Sequence, residues 1–216
     1  MHARCRNCLS ELGSQPFLVY VNAPSGAQDF RSERSLGSRG ADLRLYQCEA
    51  CGLVQHDLLP VPYFRDVIRA VAVSTEMRRY RQEQLSAWIQ TQKLHSTPLL
   101  EVGCGRGEYL ELLREAGAQH AYGLEHNTDH ALCARQLGFD VVQGYLDDSF
   151  SAPWRFTFGA FAIFSFLEHW PNLRAGLRQL RQLLSPEAVG LIEVPNFDLM
   201  LEKGLYAEFT RDHICY

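Results

Sequence analysis

No run of apolar residues in this chain is long enough to cross a bilayer. The longest nearly unbroken run, Phe158 to Leu167, falls well short of the roughly 20 residues a spanning helix needs. The start, Met1-His-Ala-Arg-Cys, lacks the apolar stretch of a secretory signal. There is no internal repeat, no low-complexity tract and no dominance of one sign of charge, with 21 basic against 25 acidic side chains. These absences argue against membrane spanning, secretion, disorder and collagen-like structure, and the expected location is the cytoplasm. What is present is ordinary for a globular protein: 216 residues, 46% hydrophobic and 11% aromatic. That length suits one domain of average size plus a small appendage.

Charge is unevenly spread. Residues 1–62 balance, residues 63–95 carry an excess of three positive charges, and residues 96–216 an excess of seven negative ones. Nucleic-acid binders present a basic field over the working face. The largest part of this chain is acidic, so nucleic acid is not an expected partner. The basic stretch, with Arg65, Arg69, Arg78, Arg79, Arg81 and Lys93, reads as a solvated helix face.

Four of the seven cysteines are paired in sequence, as Cys5-Arg-Asn-Cys8 and Cys48-Glu-Ala-Cys51. A C-x2-C turn aims two thiolates at one point, and two such turns complete the tetrahedral sulfur shell that Zn²⁺ prefers. Four protein ligands leave no open position, so such a metal is structural. The competing readings are a redox dithiol, which should sit at a strand-to-helix junction, and disulfides, which the cytoplasm disfavours. Cys104, Cys133 and Cys215 have no partner pattern.

The chain divides by pattern into a zinc-binding module (1–59), a linker and lead-in helix (60–95) and a cofactor-binding domain (96–216). Pro60-Val-Pro62 reads as a stiff linker, and the loop between the knuckles, with Pro24-Ser-Gly and a polar stretch from Arg31 to Gly40, as largely irregular. Met77, Leu85, Trp88 and Ile89 recur at helical spacing between Ser74, a capping serine, and about Gln92. After Pro98, strands are expected at 99–102, 121–124, 140–142, 158–164 and 189–194. Helices are expected at 107–116, 128–137, 173–184 and 197–205. Strands alternating with helices imply a doubly wound, mostly parallel Rossmann-like α/β sheet with ligands at the strands' carboxyl ends.

Glu101-Val-Gly103-Cys104-Gly105-Arg-Gly107 follows the first of these strands and opens a helix. A dinucleotide fingerprint is G-x-G-x-x-G, with pyrophosphate at the helix N-terminus. Here Glu108 stands where the last glycine should be, and Glu101 points to the same loop. Two carboxylates repel a pyrophosphate but suit a cofactor with ammonium and sulfonium charges, which is S-adenosylmethionine. Glu125, at the next strand end, can accept both hydroxyls of a ribose. A nucleotide-binding domain with an altered loop is the competing reading.

At this point the chain resembles a known family. Leu100-Glu-Val-Gly-Cys-Gly-Arg-Gly107, Gly123-Leu-Glu125 and Phe164-Ser-Phe-Leu-Glu-His169 look like conserved-type segments of class I S-adenosylmethionine-dependent methyltransferases. Cys48-Glu-Ala-Cys-Gly-Leu-Val-Gln55, Glu193-Val-Pro-Asn196 and Asp212-His-Ile-Cys-Tyr216 resemble a narrower bacterial group, which has a four-cysteine zinc domain and includes the deoxysugar C-methyltransferases. The resemblance implies that Glu101 and the backbone of Gly103, Cys104, Gly105 and Gly107 hold the methionine moiety, and Glu125 the ribose. It implies that Tyr145 and Leu146 flank the adenine, that Ser165 lies in the segment lining the cofactor cleft, and that His213 is the proton acceptor, with His169 a second candidate. Thr210 and Asp212 depart from that group's tyrosine and glutamate. The expected activity is methyl transfer to a small molecule, at its narrowest C-methylation of a nucleotide-linked keto-sugar. The alternatives are O- or N-methylation of another metabolite and a catalytically silent module that binds zinc and S-adenosylmethionine. Class I enzymes resemble one another in having seven strands, and five are found from Leu99 onward. The chain is therefore expected to be a fragment truncated before the last two strands, with its fifth strand left at an unpaired edge.

Overall fold

The structure, a computed structural model, describes residues 3–23, 40–65, 74–205 and 208–216. Along the chain run β1 (Leu18–Ala23), β2 (Ala41–Gln47), β3 (Val54–His56), α1 (Thr75–Thr91), β4 (Leu99–Val102), α2 (Glu108–Glu115), β5 (Ala121–Glu125), α3 (Thr128–Gln136), β6 (Asp140–Gln143) and β7 (Phe158–Phe164). A single 3-10 turn (Leu167–His169), α4 (Leu173–Leu183), β8 (Leu184–Glu193) and α5 (Phe197–Lys203) follow. They group into two compact units, Met1–Val67 with Leu167–Arg174 and Val194–Tyr216, and Ile68–Phe166 with Ala175–Glu193. No helix among the described residues is long and apolar enough to cross a membrane.

In the second unit, five parallel strands lie in the order β6-β5-β4-β7-β8. The central strand β4 is buried at every position, as expected of a parallel strand covered on both faces. Its neighbour β7 supplies the small buried residues Ala160 and Ala162, which share a core cluster with Leu99 and Leu110. Strand order reverses at β4: β5 and β6 lie on one side, β7 and β8 on the other. The crevice at the carboxyl ends of β4 and β7 is therefore the switch point where such sheets bind ligands.

The expected elements after Pro98 are present: β4 and β7 have the expected bounds, and the others have their ends moved by one to several residues. Ser74 caps α1 by accepting from the Met77 N–H at 3.1 Å. The helix buries Leu85 and Ile89, but it turns Met77 outward and Arg81 inward. The largest difference is β8, which starts at Leu184 rather than Val189. Its pairing with β7 breaks register between Phe158 and Ala160. Pro186, which has no N–H to give the ladder, falls in that irregular stretch, and β8 is an edge strand where this is tolerated.

In the first unit, β1, β2 and β3 form an antiparallel sheet that local pattern did not reveal. The knuckle-to-knuckle stretch 24–39 lies outside the described residues. Leu43, Leu45 and Val54 pack with Met200 and Phe209. The last residues add to β3: Gln55 pairs with Cys215 as an antiparallel bridge, and the Tyr216 N–H donates to the Val54 carbonyl at 2.8 Å. Val61, inside the proline pair, is 1% exposed, so that segment is anchored rather than a free spacer.

Candidate functional site

The four knuckle cysteines converge. Sγ–Sγ distances are 3.5 Å for Cys5–Cys51 and for Cys8–Cys48, and all four sulfurs lie within 4.8 Å of one another. A Zn–S bond of about 2.3 Å in a tetrahedron sets sulfur pairs about 3.8 Å apart, so the donor set fits that ion with small adjustments. Each knuckle closes through a left-handed residue, Leu9 (φ 67) and Gly52 (φ 78). The turns are locked by the Leu9 N–H on the Cys5 carbonyl and the Gly52 N–H on the Cys48 carbonyl. Burial pushes the Cys5 thiol up to about 12, whereas the Ser10 hydroxyl beside Cys8 holds that thiol at about 6.

In the second unit, the glycine loop leaves β4 with φ +74 at Gly103, +57 at Gly105 and +98 at Gly107. A side chain at Gly103 would meet the Phe166 ring at 2.7 Å, so glycine is required there by both backbone and space. Gly107 caps α2 from the left-handed region. Cys104 is fully buried beneath the loop, its Sγ against Gly123. Glu101 is fully buried at the end of β4.

Glu125, 8% exposed at the end of β5, holds the loop. One carboxylate oxygen accepts the Gly105 N–H at 2.8 Å, and the other accepts the Asn127 N–H at 2.8 Å. An ionised carboxylate has about four acceptor positions, so both oxygens retain capacity. Beside it, Val102, Gly103, Leu124, His126, Gly144, Tyr145, Leu146 and Phe166 line a cleft. The structure thus brings Tyr145 and Leu146 to the glycine loop and Glu125. His126, which carried no sequence expectation, and Phe166, within the segment expected to line the cofactor cleft, stand with them, their rings 6.1 and 6.3 Å from that of Tyr145. Their signal was position: each directly follows the end of a strand or its first turn.

Ser165, at φ 46 after β7, directs its hydroxyl to Glu193 Oε1 at 3.2 Å. The other Glu193 oxygen pairs with Arg81. The Arg81 guanidinium also faces the rings of Tyr109 (5.5 Å) and Phe164 (5.6 Å), a cation–π setting that compensates its burial. Nothing local in the sequence marked Arg81.

In the first unit, His169 and His213 lie together, ring centroids 5.1 Å apart. His169 Nδ1 is 2.7 Å from the Asp212 carbonyl oxygen and His213 Nδ1 is 3.0 Å from that of Glu208. A carbonyl can only accept, so in both rings Nδ1 carries the proton and Nε2 presents a lone pair. Burial pulls the His169 imidazole down to about 4, with the neighbouring His213 acting in the same sense, and burial lowers His213 as well. Both rings are neutral near pH 7. Tyr63 donates its hydroxyl to Asp212 Oδ1 at 2.7 Å. Arg79, in contrast, is exposed and pairs only with Glu83 among the contacts of the described residues.

A parallel sheet with a glycine loop at its switch point and an acid on the neighbouring strand end defines an α/β domain of the class I methyltransferase type. The sequence model for the methyltransferase domain matches residues 77–216, and the chain belongs to that family. No curated protein matches the chain. Among solved structures, it is similar to the plantazolicin methyltransferase BpumL in complex with a pentazolic desmethylPZN analog and SAH, at 22% identity and TM-score 0.50, over 65% of this chain and 55% of that one. It is also similar to DesVI of Streptomyces venezuelae, at 22% identity and TM-score 0.48, over 57% of this chain and 53% of that one. A third is CalS10, an amino pentose methyltransferase from Micromonospora echinaspora, at 21% identity and TM-score 0.46, over 61% of this chain and 60% of that one. The chain spans about half the length of the solved structures it matches.

Proposed function

We propose that this chain transfers a methyl group from S-adenosylmethionine to a small-molecule acceptor, and that the acceptor is a carbon acid of the nucleotide-linked keto-sugar kind. The observation that carries the cofactor assignment is Glu125, a carboxylate held by the Gly105 and Asn127 N–H groups so that it faces the glycine loop with acceptor positions in hand. When bound, S-adenosylmethionine supplies an electrophilic methyl carbon on a sulfonium. Glu125 accepts the two ribose hydroxyls. The backbone from Gly103 to Gly107, with Cys104 beneath it, receives the methionine end, where the Glu101 charge favours ammonium and sulfonium over phosphate. Tyr145, Leu146 and Phe166 flank the adenine, and Ser165 braces Glu193 at the lip of β7. The related plantazolicin enzyme carries SAH in its crystal structure, which supports the same ligand class here.

The acceptor assignment rests on the Asp212-His-Ile-Cys-Tyr216 resemblance and on the neutral imidazole pair. His213 is half-buried and offers Nε2, whereas His169 is 5% exposed. His213 would therefore be the group that takes the proton of the acceptor carbon. Taking that proton would leave His213 as the imidazolium. A neutral base beside a ketone's carbon acid suits general-base catalysis near neutral pH. His169 stays neutral and packs against the base. We further propose that Cys5, Cys8, Cys48 and Cys51 hold a structural Zn²⁺, and that the reduced thiols this requires place the protein in the cytoplasm.

The test is incubation of the chain with ¹³C-methyl S-adenosylmethionine and a panel of nucleotide-linked keto-, hydroxy- and amino-sugars, read by NMR of the product. A carbon-bound methyl that His213→Ala abolishes, with cofactor affinity unchanged, is the expected result. A methyl on oxygen or nitrogen would overturn the acceptor class. Binding of NAD in preference to S-adenosylmethionine would overturn the cofactor.

A further inference from the structure

Arg6 stands between the two ligands of the first knuckle, half-buried, with both terminal nitrogens of its guanidinium committed. Its backbone N–H donates to Gln55 Oε1 at 2.7 Å. The two ends of its guanidinium donate to carbonyls, Nη2 to Leu58 at 2.8 Å and Nη1 to Pro171 at 3.3 Å. Gln55 is 1% exposed, and its Nε2 donates back to the Arg4 carbonyl at 3.1 Å. The knuckle is thus bound to β3 through Gln55 and to the segment after His169 through Pro171.

Both of these anchors lead to an imidazole. Pro171 is two residues beyond His169. Gln55 bridges Cys215, two residues beyond His213. The loop closes because the N–H groups of Ile214 and Cys215 donate to the Glu168 carbonyl, at 2.8 and 3.2 Å. The His169 Nδ1–H then donates to the Asp212 carbonyl. Every step is a directional bond between backbone or planar side-chain groups, all within one compact unit. Displacing the knuckle therefore moves the two segments that carry the histidines.

We propose that Arg6 is a positioning residue for the His169–His213 pair, through which the four-cysteine site sets the geometry of the proton acceptor. The functional meaning of that pair rests on the reading above; the mechanical coupling does not. A planar fork is what the task requires, since it joins two carbonyls from different segments at fixed angles, which a lysine ammonium does not. A displacement of about 1 Å at a reacting group costs on the order of 100-fold in rate, so a rigid tie has a function to protect.

The experiment uses the zinc-loaded chain and reads exchange of the His169 Nδ1–H by NMR, with the Leu45 amide in β2 as the internal reference. Arg6→Met should speed exchange of the imidazole proton about tenfold relative to the Leu45 amide. Zinc should remain at one equivalent, and S-adenosylmethionine affinity should stay within about twofold of wild type. Arg6→Lys should give an intermediate ratio, and it carries the test if Arg6→Met does not fold. If both protons speed equally, Arg6 only stabilises the unit and the proposal fails. It also fails if the imidazole proton is unchanged while zinc remains bound. Methyl transfer that survives His213→Ala and His169→Ala would instead remove the proton-acceptor reading and leave the coupling standing.

Discussion

Replacing Glu125 tests the cofactor site and its scaffold at once. In Glu125→Ala, the Gly105 and Asn127 N–H groups lose their acceptor, and so would the ribose hydroxyls. A hydrogen bond to a charged group contributes about 1.5–3 kcal/mol, so loss of the ribose contacts should weaken S-adenosylmethionine binding about ten- to a hundredfold. The two orphaned N–H groups add a separate cost to the fold, about 1–3 kcal/mol if one of them stays dry. Glu125→Gln separates these effects. Its amide matches the carboxylate in shape but sets a donor against one of the two N–H groups, so loop order should suffer nearly as much as in the alanine variant. Glu125→Asp keeps the charge and withdraws it by one methylene, and should fall between. Calorimetry with S-adenosylmethionine measures the affinities, and thermal unfolding without ligand measures the scaffold term. Wild-type affinity in Glu125→Ala would refute the reasoning, whatever its melting temperature.

Gly103→Ala should abolish measurable cofactor binding, because the residue sits at φ +74 and its new methyl meets the Phe166 ring at 2.7 Å; Phe166→Ala in the same chain should restore part of it, and no change in Gly103→Ala would remove the argument. Metal analysis should find one Zn²⁺ per chain, lost in Cys48→Ser together with the first unit's cooperative unfolding, whereas less than half an equivalent in the wild type would contradict the four-thiolate site. His56 is fully buried and neutral, accepting from the Leu58 N–H at Nδ1 and donating from Nε2 to the Arg211 carbonyl. Burial holds its pKa at about 4 against an ordinary 6.5. The unfolded chain therefore takes up a proton that the folded chain refuses, and stability should fall as pH drops from 6.5 to about 4, by up to roughly 3 kcal/mol from this residue. Urea titrations should show that fall reduced in His56→Gln, and an unchanged slope would mean that His56 is not the source.

Much of the second unit was legible because its information is local. Glycines at 103, 105 and 107 mark a chain reversal whatever surrounds them, and the acids at 101 and 125 mark strand ends that face it. The runs at 99–102 and 158–164 are apolar enough to require burial on both faces. The early start of β8 has no local signal, since Pro186 gives no N–H to a ladder and the irregular pairing with β7 is what accommodates it. Arg81 was read as part of a solvated face because helical spacing records polarity, not partners; Glu193, which accounts for its burial, lies 112 residues away.

The sequence by itself marked the two cysteine pairs that the structure brings together, the alternation of strands and helices, and the glycine loop after the first parallel strand, since each depends on residue type at short spacing. It left open how the first unit is assembled. Only the tertiary structure joined Val54–His56 to the last three residues, brought Tyr63 to Asp212 across 149 positions, and set His169 beside His213. The physical reason is that an antiparallel pairing or a buried hydrogen bond has no period in the sequence. It depends on which distant backbone edge is available once the local elements have formed, and that is decided by packing.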